Sequence, residues 1–285
     1  MPVVDTNGIA THYEIRGDGP PLLMCSPGGF NATLDNWSTL GRYRDLRLVD
    51  HLSSEYTCIL FDRRESGRSG GNVERLGWDL YAEQAAALLD HLGIARAAAL
   101  GGCAGCSVAL ALAVRRPSAV RALVLFSPAG GARYRLTQQA RFAQHLAHVQ
   151  QHGTAGVVEL ALGTDGSFSA DGRIGPWAPV IRSDPAFAGS YARLDVSAYS
   201  AVVAGSARLL FDRDTVAGVE PEDLMGLQVP ALVVPGHDDS HATSAARYLE
   251  ECLPRATYLD VAVEEQDEAL VADRILSFLG QVPSS

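Results

Sequence analysis

The sequence predicts an α/β protein: a mostly parallel, doubly wound sheet of eight strands, with a helical segment inserted after the sixth. Three observations point there. From residue 21 to residue 126, short apolar runs alternate with helical runs, and that alternation buries a parallel sheet between two helix layers. The alternation stops after Pro128 and resumes at Ala231. Between them lie helical runs and no convincing strand. Finally, an apolar run ends in Gly101-Gly102-Cys103-Ala104-Gly105 and a helical run follows at once. A strand, a sharp turn and a helix in that order lift one side chain out at the tip of the turn.

Each element has its own reason. Val3–Thr6 and Ile9–Ile15 flank Asn7-Gly8, the dipeptide suited to a two-residue hairpin loop. Pro21–Cys25 is the next strand and Ser26–Phe30 a loop. Leu40–Leu52 reads as a helix and Tyr56–Phe61 as a buried strand. Trp78–Leu92 is an amphipathic helix with Tyr81, Leu88, Leu89 and Leu92 on one side, stopped by Gly93. A strand over 97–100, a helix over 104–116 and a strand Arg121–Phe126 follow. The inserted segment carries helical runs Thr137–Gln151 and Pro185–Phe211, with a looser stretch Gly163–Pro179 between them. The sheet pattern then returns as strand Ala231–Val234, loop 236–242, helix Thr243–Leu253, strand Thr257–Val261 and helix Asp267–Leu279. The expected division is therefore a core of 1–129 and 227–285 with a helical cap, or lid, of 130–226. Sites in parallel sheets lie at the carboxyl ends of strands, which brings loops 26–30, 62–70 and 101–106 to one edge.

With 47% apolar and 20% charged residues in 285, the chain is an ordinary globular one that can bury a large core. Its net charge of −10 argues against nucleic acid and gives no attraction to an anionic membrane. No run reaches the ~18 apolar residues of a membrane span. The first residues lack a basic start and a long apolar stretch, so no signal peptide is expected. Five cysteines form no disulfide framework, and Cys25, Cys58 and Cys252 lie in apolar runs as small core residues. That usage suits a reducing cytoplasm. The expected partner is a small-molecule substrate, with no cofactor, and the oligomeric state is left open, a homodimer included.

These motifs, in this order, make the chain similar to the α/β-hydrolase superfamily. Gly101–Gly105 resembles its G-x-S-x-G nucleophile elbow with sulfur in place of oxygen. Ser26–Phe30 stands where the family has its oxyanion loop, and Phe61–Ser69 looks like its D-x-R-G-x-G-x-S turn, with Glu65 in place of a glycine. Val233–Asp239 looks like its strand and G-x-x-D acid loop. The family carries its histidine between the last strand and the final helix, but Asp260–Asp267 contains none, and no histidine lies beyond His241.

The candidate nucleophile is Cys103. A thiol at a helix start sits at the positive end of the helix dipole, which favours thiolate. The bland alternative is an inert buried thiol. Ser107 in a shifted frame, and thiol–disulfide exchange through Cys103 and Cys106, are rival readings. Zinc binding is disfavoured, because it needs about four ligands and no second cysteine pair exists. Backbone amides of Ala104 and of Gly29 or Phe30 are the expected oxyanion donors. Asp239 is the expected acid, against a plain loop or capping role. His241, two residues on, is the expected base, with His237, Glu264 and Glu265 as alternatives. Arg133, Arg135 and Arg141, with Tyr134 between, are candidates for holding a substrate carboxylate, against an exposed helix start.

Three functions remain in view. The first is a hydrolase of esters, thioesters, lactones or an activated C–C bond, through Cys103. The second keeps the fold but carries out acyl transfer, cyclisation or a lyase step. The third is a capped pocket that only binds a small ligand.

Overall fold

The structure is a computed structural model that describes residues 2–212 and 218–283. Strands β1 (Val3–Thr6) and β2 (Ile9–Arg16) form the hairpin, with Asn7 and Gly8 at φ 56° and 83°, the left-handed pair a type I′ turn requires. The other strands are β3 (Pro21–Cys25), β4 (Thr57–Phe61), β5 (Ala97–Gly102), β6 (Val120–Phe126), β7 (Ala231–Val234) and β8 (Ala256–Tyr258). All eight join one sheet in the order β1-β2-β4-β3-β5-β6-β7-β8. Only β1–β2 and β2–β4 pair antiparallel; every neighbour from β4 to β8 is parallel. The expected fold class is the one observed.

Burial explains the central strands and the helix behind them. Every residue of β5 and β6 is buried, as strands covered on both faces must be. Helix Gly105–Arg115 is buried from Gly105 to Ala113 on all sides, because it is sandwiched between the sheet and helix Trp78–His91. That second helix ends where Gly93 takes φ 68°, the left-handed stop its sequence foretold.

Among the boundaries that differ from expectation, the helical run expected over Thr137–Gln151 spans Ala132–Leu162, and three others are instructive. The helix expected over Leu40–Leu52 is two short helices, Gly41–Leu46 and Leu48–Leu52, because Arg47 takes φ 45° between them. The strand expected over Thr257–Val261 is Ala256–Tyr258; beyond it the Val261 amide turns back to the Leu259 carbonyl. Pro185–Phe211 is two helices, Pro185–Tyr191 and Val196–Phe211, bent by 107°. Asp195 caps the second by accepting from the Ala198 amide at 2.8 Å. Among the described residues no single helix is long and apolar enough to cross a membrane.

Between β6 and β7 the described chain is helical, led by Ala132–Leu162, which kinks at Gly153 (φ 69°). This segment docks on the core through indole-to-carbonyl bonds, Trp78 to Leu210 at 3.2 Å and Trp177 to Asn72 at 2.7 Å. Phe142, Phe168 and Phe211 pack around Phe30, edge to face, with centroids 4.9 to 6.1 Å from its ring.

Gly105 has no room for a side chain. A Cβ there would lie 2.1 Å from the Cys25 carbonyl oxygen, whereas one at Gly280, on the last helix, would meet nothing within 4 Å. Gly105→Ala is therefore expected to destabilise the protein by about 3 kcal/mol. Gly280→Ala is expected to be neutral or slightly stabilising. Urea midpoints of the two variants check this; equal midpoints would contradict the packing.

Candidate active site

Cys103 stands between the end of β5 and helix Gly105–Arg115 at φ 53°, a left-handed conformation that costs a non-glycine residue energy. The glycines around it have no room for a side chain. A Cβ on Gly101 would sit 2.5 Å from the Cys106 backbone, and one on Gly102 would sit 2.8 Å from the Tyr43 ring. The elbow is tied to β6, with the Cys103 amide donating to the Phe126 carbonyl at 3.2 Å and the Ala129 amide to the Cys103 carbonyl at 3.3 Å. Cys103 is 9% exposed.

The second part of the site is built by the loop after β7. The Asp238 carboxylate accepts from its own loop, from the Ser240 amide at 2.8 Å and the His241 amide at 3.1 Å. That turn folds the His241 ring back over it, with Nδ1 2.9 and 2.8 Å from the two carboxylate oxygens. The loop is latched to the strand-6 exit: the Gly130 amide donates to the Ser240 carbonyl at 3.0 Å, and a bridge joins Gly130 to His241. Gly236 is required here, since a Cβ would fall 2.5 Å from that of His241. His241 Nε2 is buried without an oxygen or nitrogen partner, and the Cys103 sulfur is the group that acts on the ring.

The electrostatics follow from this contact. Burial pushes the Cys103 thiol up, but hydrogen bonding to His241, its charge and the amides of Ala104 and Gly28 outweigh it, and the thiol lies below its ordinary value. Burial pushes His241 down, but Cys103 and Asp238 pull it up to about 9. The two shifts have one cause: the contact between sulfur and imidazole favours the thiolate and the imidazolium together.

The structure brings Cys103, His241 and the Ala104 amide together. It places Asp239 elsewhere. Asp239 is 74% exposed and pairs with Arg133 at 2.7 Å, itself 73% exposed. The partner of His241 is its neighbour Asp238, because the turn that orders the loop points residue 238 inward and residue 239 to solvent. The second amide facing the sulfur is that of Gly28, not of Gly29 or Phe30. Gly28 takes φ 116°, and a Cβ would lie 2.3 Å from Asn36 Nδ2, which pins the loop by donating to the Pro27 and Asn31 carbonyls at 2.7 and 2.6 Å. The Gly29 carbonyl instead accepts from Arg63 at 2.6 Å, and Phe30 turns its ring into the aromatic cluster.

The remaining candidates fall away from the sulfur. His237 is 70% exposed and lies 3.7 Å from Glu264, and Glu265 is exposed on the same short turn, Val263–Glu265. Tyr134 is buried against Phe211, near enough to Cys103 to feel its charge, and burial pushes its phenol up. Cys106 is packed beneath the elbow, donating to the Gly101 carbonyl at 3.0 Å, and all five cysteines are free. Ser107 is wholly buried in the helix. Glu65, where a glycine was expected, keeps the left-handed φ of 60°, is buried, and pairs with Arg64 at 2.8 Å.

A cavity of about 290 Å³ opens in front of Cys103. Its walls are the segment Leu40–Tyr43, Gly28, Ser127, loop 236–241 and Val263. None of these belongs to the helical insertion, where the expected substrate contacts Arg133 and Tyr134 lie.

Comparison with known proteins fits this geometry. A family model of the alpha/beta hydrolase fold matches residues 20–151. The enol-lactonase from Burkholderia xenovorans LB400 superposes with a TM-score of 0.64 at 21% identity, over 98% of this chain and 100% of that one. The chain has the α/β-hydrolase fold. Among curated relatives, the uncharacterized hydrolase YraK of Bacillus subtilis (strain 168) is 28% identical over 123 residues, 42% of each chain. The 2-hydroxymuconate semialdehyde hydrolase of Pseudomonas sp. (strain CF600) is 34% identical over 126 residues, 43% of this chain and 41% of that one. The matches thus span less than half the length of these relatives. The loop after β7 carries an Asp-x-x-His pair, Asp238 and His241. That spacing, with an aspartate capping the turn three residues before a histidine, is the signal that could have singled out Asp238.

The thiolate is the nucleophile toward iodoacetamide, so alkylation rises with pH through the thiol pKa. Asp238→Asn removes the carboxylate that sustains the imidazolium, and the half-maximal pH is expected to move up by about one unit or more. Asp239→Asn is expected to leave it in place. A pH–rate profile of Cys103 alkylation checks both, and equal shifts would contradict the assignment of Asp238.

Proposed function

We propose that the protein is an acyl hydrolase that works through a covalent thioester on Cys103. The observation that carries this reading is the chain of Cys103, His241 and Asp238 beside a cavity, with two backbone amides aimed at the sulfur.

Each group has a task. The thiolate attacks the carbonyl carbon of an ester, thioester or lactone, forming a C–S bond as the carbonyl π electrons move to oxygen. The amides of Ala104 and Gly28 receive that oxyanion; one such donor is worth roughly 10²- to 10³-fold in rate. As the tetrahedral centre collapses, the bond to the leaving oxygen or sulfur breaks, and the imidazolium gives its Nε2 proton to it. The neutral ring then takes a proton from water, whose oxygen attacks the thioester. Collapse breaks the C–S bond, returns the thiolate and imidazolium, and releases the acid. Asp238 holds the ring in the orientation that points Nε2 at the sulfur throughout.

The contact of His241 with Cys103 and Asp238 supports hydrolysis over transfer or mere binding, because hydrolysis needs a base to activate water. The names of the relatives, a hydrolase and a lactonase, agree with the class. The helical segment 130–226 serves in this reading as a cap that shields the inner side of the elbow with its aromatic cluster. The substrate enters between Leu40–Tyr43 and the loop after β7.

p-Nitrophenyl acetate tests the chemistry. The wild type is expected to release nitrophenol with an acetyl adduct on Cys103 visible by intact mass. Cys103→Ala is expected to lose about 10³-fold or more in kcat/KM. Unchanged turnover in that variant would sink the proposal.

A further inference from the structure

The cavity wall carries a cation with no anion. Arg42, on helix Gly41–Leu46, lines the same cavity as Cys103. Its guanidinium lies 5.2 Å above the Phe126 ring, and its Nη2 donates to Gln266 Oε1. Its Nη1 is buried without a partner. Among the described residues it forms no ion pair, although Asp238 and Glu264 contribute to its field. Asp238, the carboxylate on the cavity wall, is occupied by the His241 ring and two amides.

The neighbouring residue repeats the pattern. Tyr43 also lines the cavity and is 5% exposed, and its hydroxyl is buried without a partner. Its ring is fixed between Trp37 at 5.4 Å and Phe126 at 5.5 Å, and it sits close enough to Cys103 to feel the charge of the sulfur. A guanidinium cannot shed its charge on burial, and unpaired buried donors are costly. Two such donors on adjacent residues, beside the candidate nucleophile, are a receptor waiting for acceptor atoms.

We propose that the acyl substrate carries a carboxylate, and that Arg42 and the Tyr43 hydroxyl receive it while its acyl carbon meets Cys103. This rests on the acyl-hydrolase reading above. A carboxylate fits because its two oxygens match one guanidinium N–H edge and one hydroxyl. A phosphoryl group brings three acceptor oxygens and nearly two charges, for which the wall offers, beyond Arg42 and the imidazolium committed to the thiolate, only the exposed His237 ring, which lies 3.7 Å from Glu264. The cavity of about 290 Å³ limits the ligand to a small one: a half-ester of a short dicarboxylic acid, or a carboxylated lactone.

A matched pair of esters tests this: p-nitrophenyl butyrate and mono-p-nitrophenyl glutarate. The wild type is expected to prefer the carboxylated ester in kcat/KM. In Arg42→Gln the ratio between the two is expected to fall about 10- to 100-fold, chiefly through KM, with part regained in Arg42→Lys. An unchanged ratio, or no preference in the wild type, overturns the subsite. Failure of both esters to acylate wild-type Cys103 instead overturns the acyl-hydrolase reading, and the subsite is then judged by glutarate binding to Cys103→Ala in calorimetry. Binding that weakens in the Arg42→Gln double variant supports the subsite; no binding, or equal binding, overturns it.

Discussion

The site depends on a steric constraint: Cys103 takes a left-handed backbone at a corner with no room for a side chain on Gly101, Gly102 or Gly105. Strain of this kind costs on the order of 1–3 kcal/mol, and only a surrounding structure that over-determines it can hold it. Here β3 closes on one side, where Gly105 has no room beside the Cys25 carbonyl, and β6 binds the elbow on the other. Compression at the corner sets the position of the sulfur, the Ala104 amide beside it and the start of the buried helix. Everything else in the site is brought to that point.

What is brought is a base and an acid on one loop. A histidine after the last strand would reach the sulfur from a separate element. In this chain Asp238 orders its own turn, and the turn delivers His241. Bridging to Gly130 fixes the loop against the exit of β6, so the elbow and the ring share one support. Freed of a histidine, the segment around Val263 and Gln266 takes other duties: Val263 lines the cavity and Gln266 holds Arg42.

The legible and illegible parts of the sequence divide along a physical line. Features set by short-range sterics were readable. Asn7-Gly8 could only be a tight hairpin, the glycines around Cys103 could only mean a strained corner, and the apolar run Val108–Val114 read as a helix. Features set by which way a loop residue turns were not. Asp238 and Asp239 are chemically identical, and one hydrogen-bonded turn decides which meets His241. Gly28 and Gly29 both allow close backbone approach, and the pinning side chain of Asn36 decides between them. Arg133 and Tyr134 were placed near a substrate because a helical insertion was expected to wall the pocket. Phe30 instead joins the insertion's own rings, and the cavity faces Leu40–Tyr43, a segment that sequence pattern read as one featureless helix.

In the proposed mechanism, a sulfur nucleophile changes what the rest of the triad must do. A serine hydroxyl needs a base to remove its proton as it attacks. A thiolate paired with imidazolium has already lost that proton, so bond formation to carbon needs no proton transfer from the nucleophile. The ring's proton is then available to the leaving group, and basic catalysis is required only when water arrives. His241, held up to about 9 by its two anionic neighbours, is suited to the donation and poorly suited to the later abstraction. The difficulty removes itself during the cycle. Once sulfur is bound in a neutral thioester, the anion that raised His241 most is gone, and the burial that opposes its charge remains. Acylation thus lowers the affinity of the ring for its proton at the step where a base is needed. The same side chain serves as acid before the thioester and as base after it, with Asp238 keeping its orientation across both.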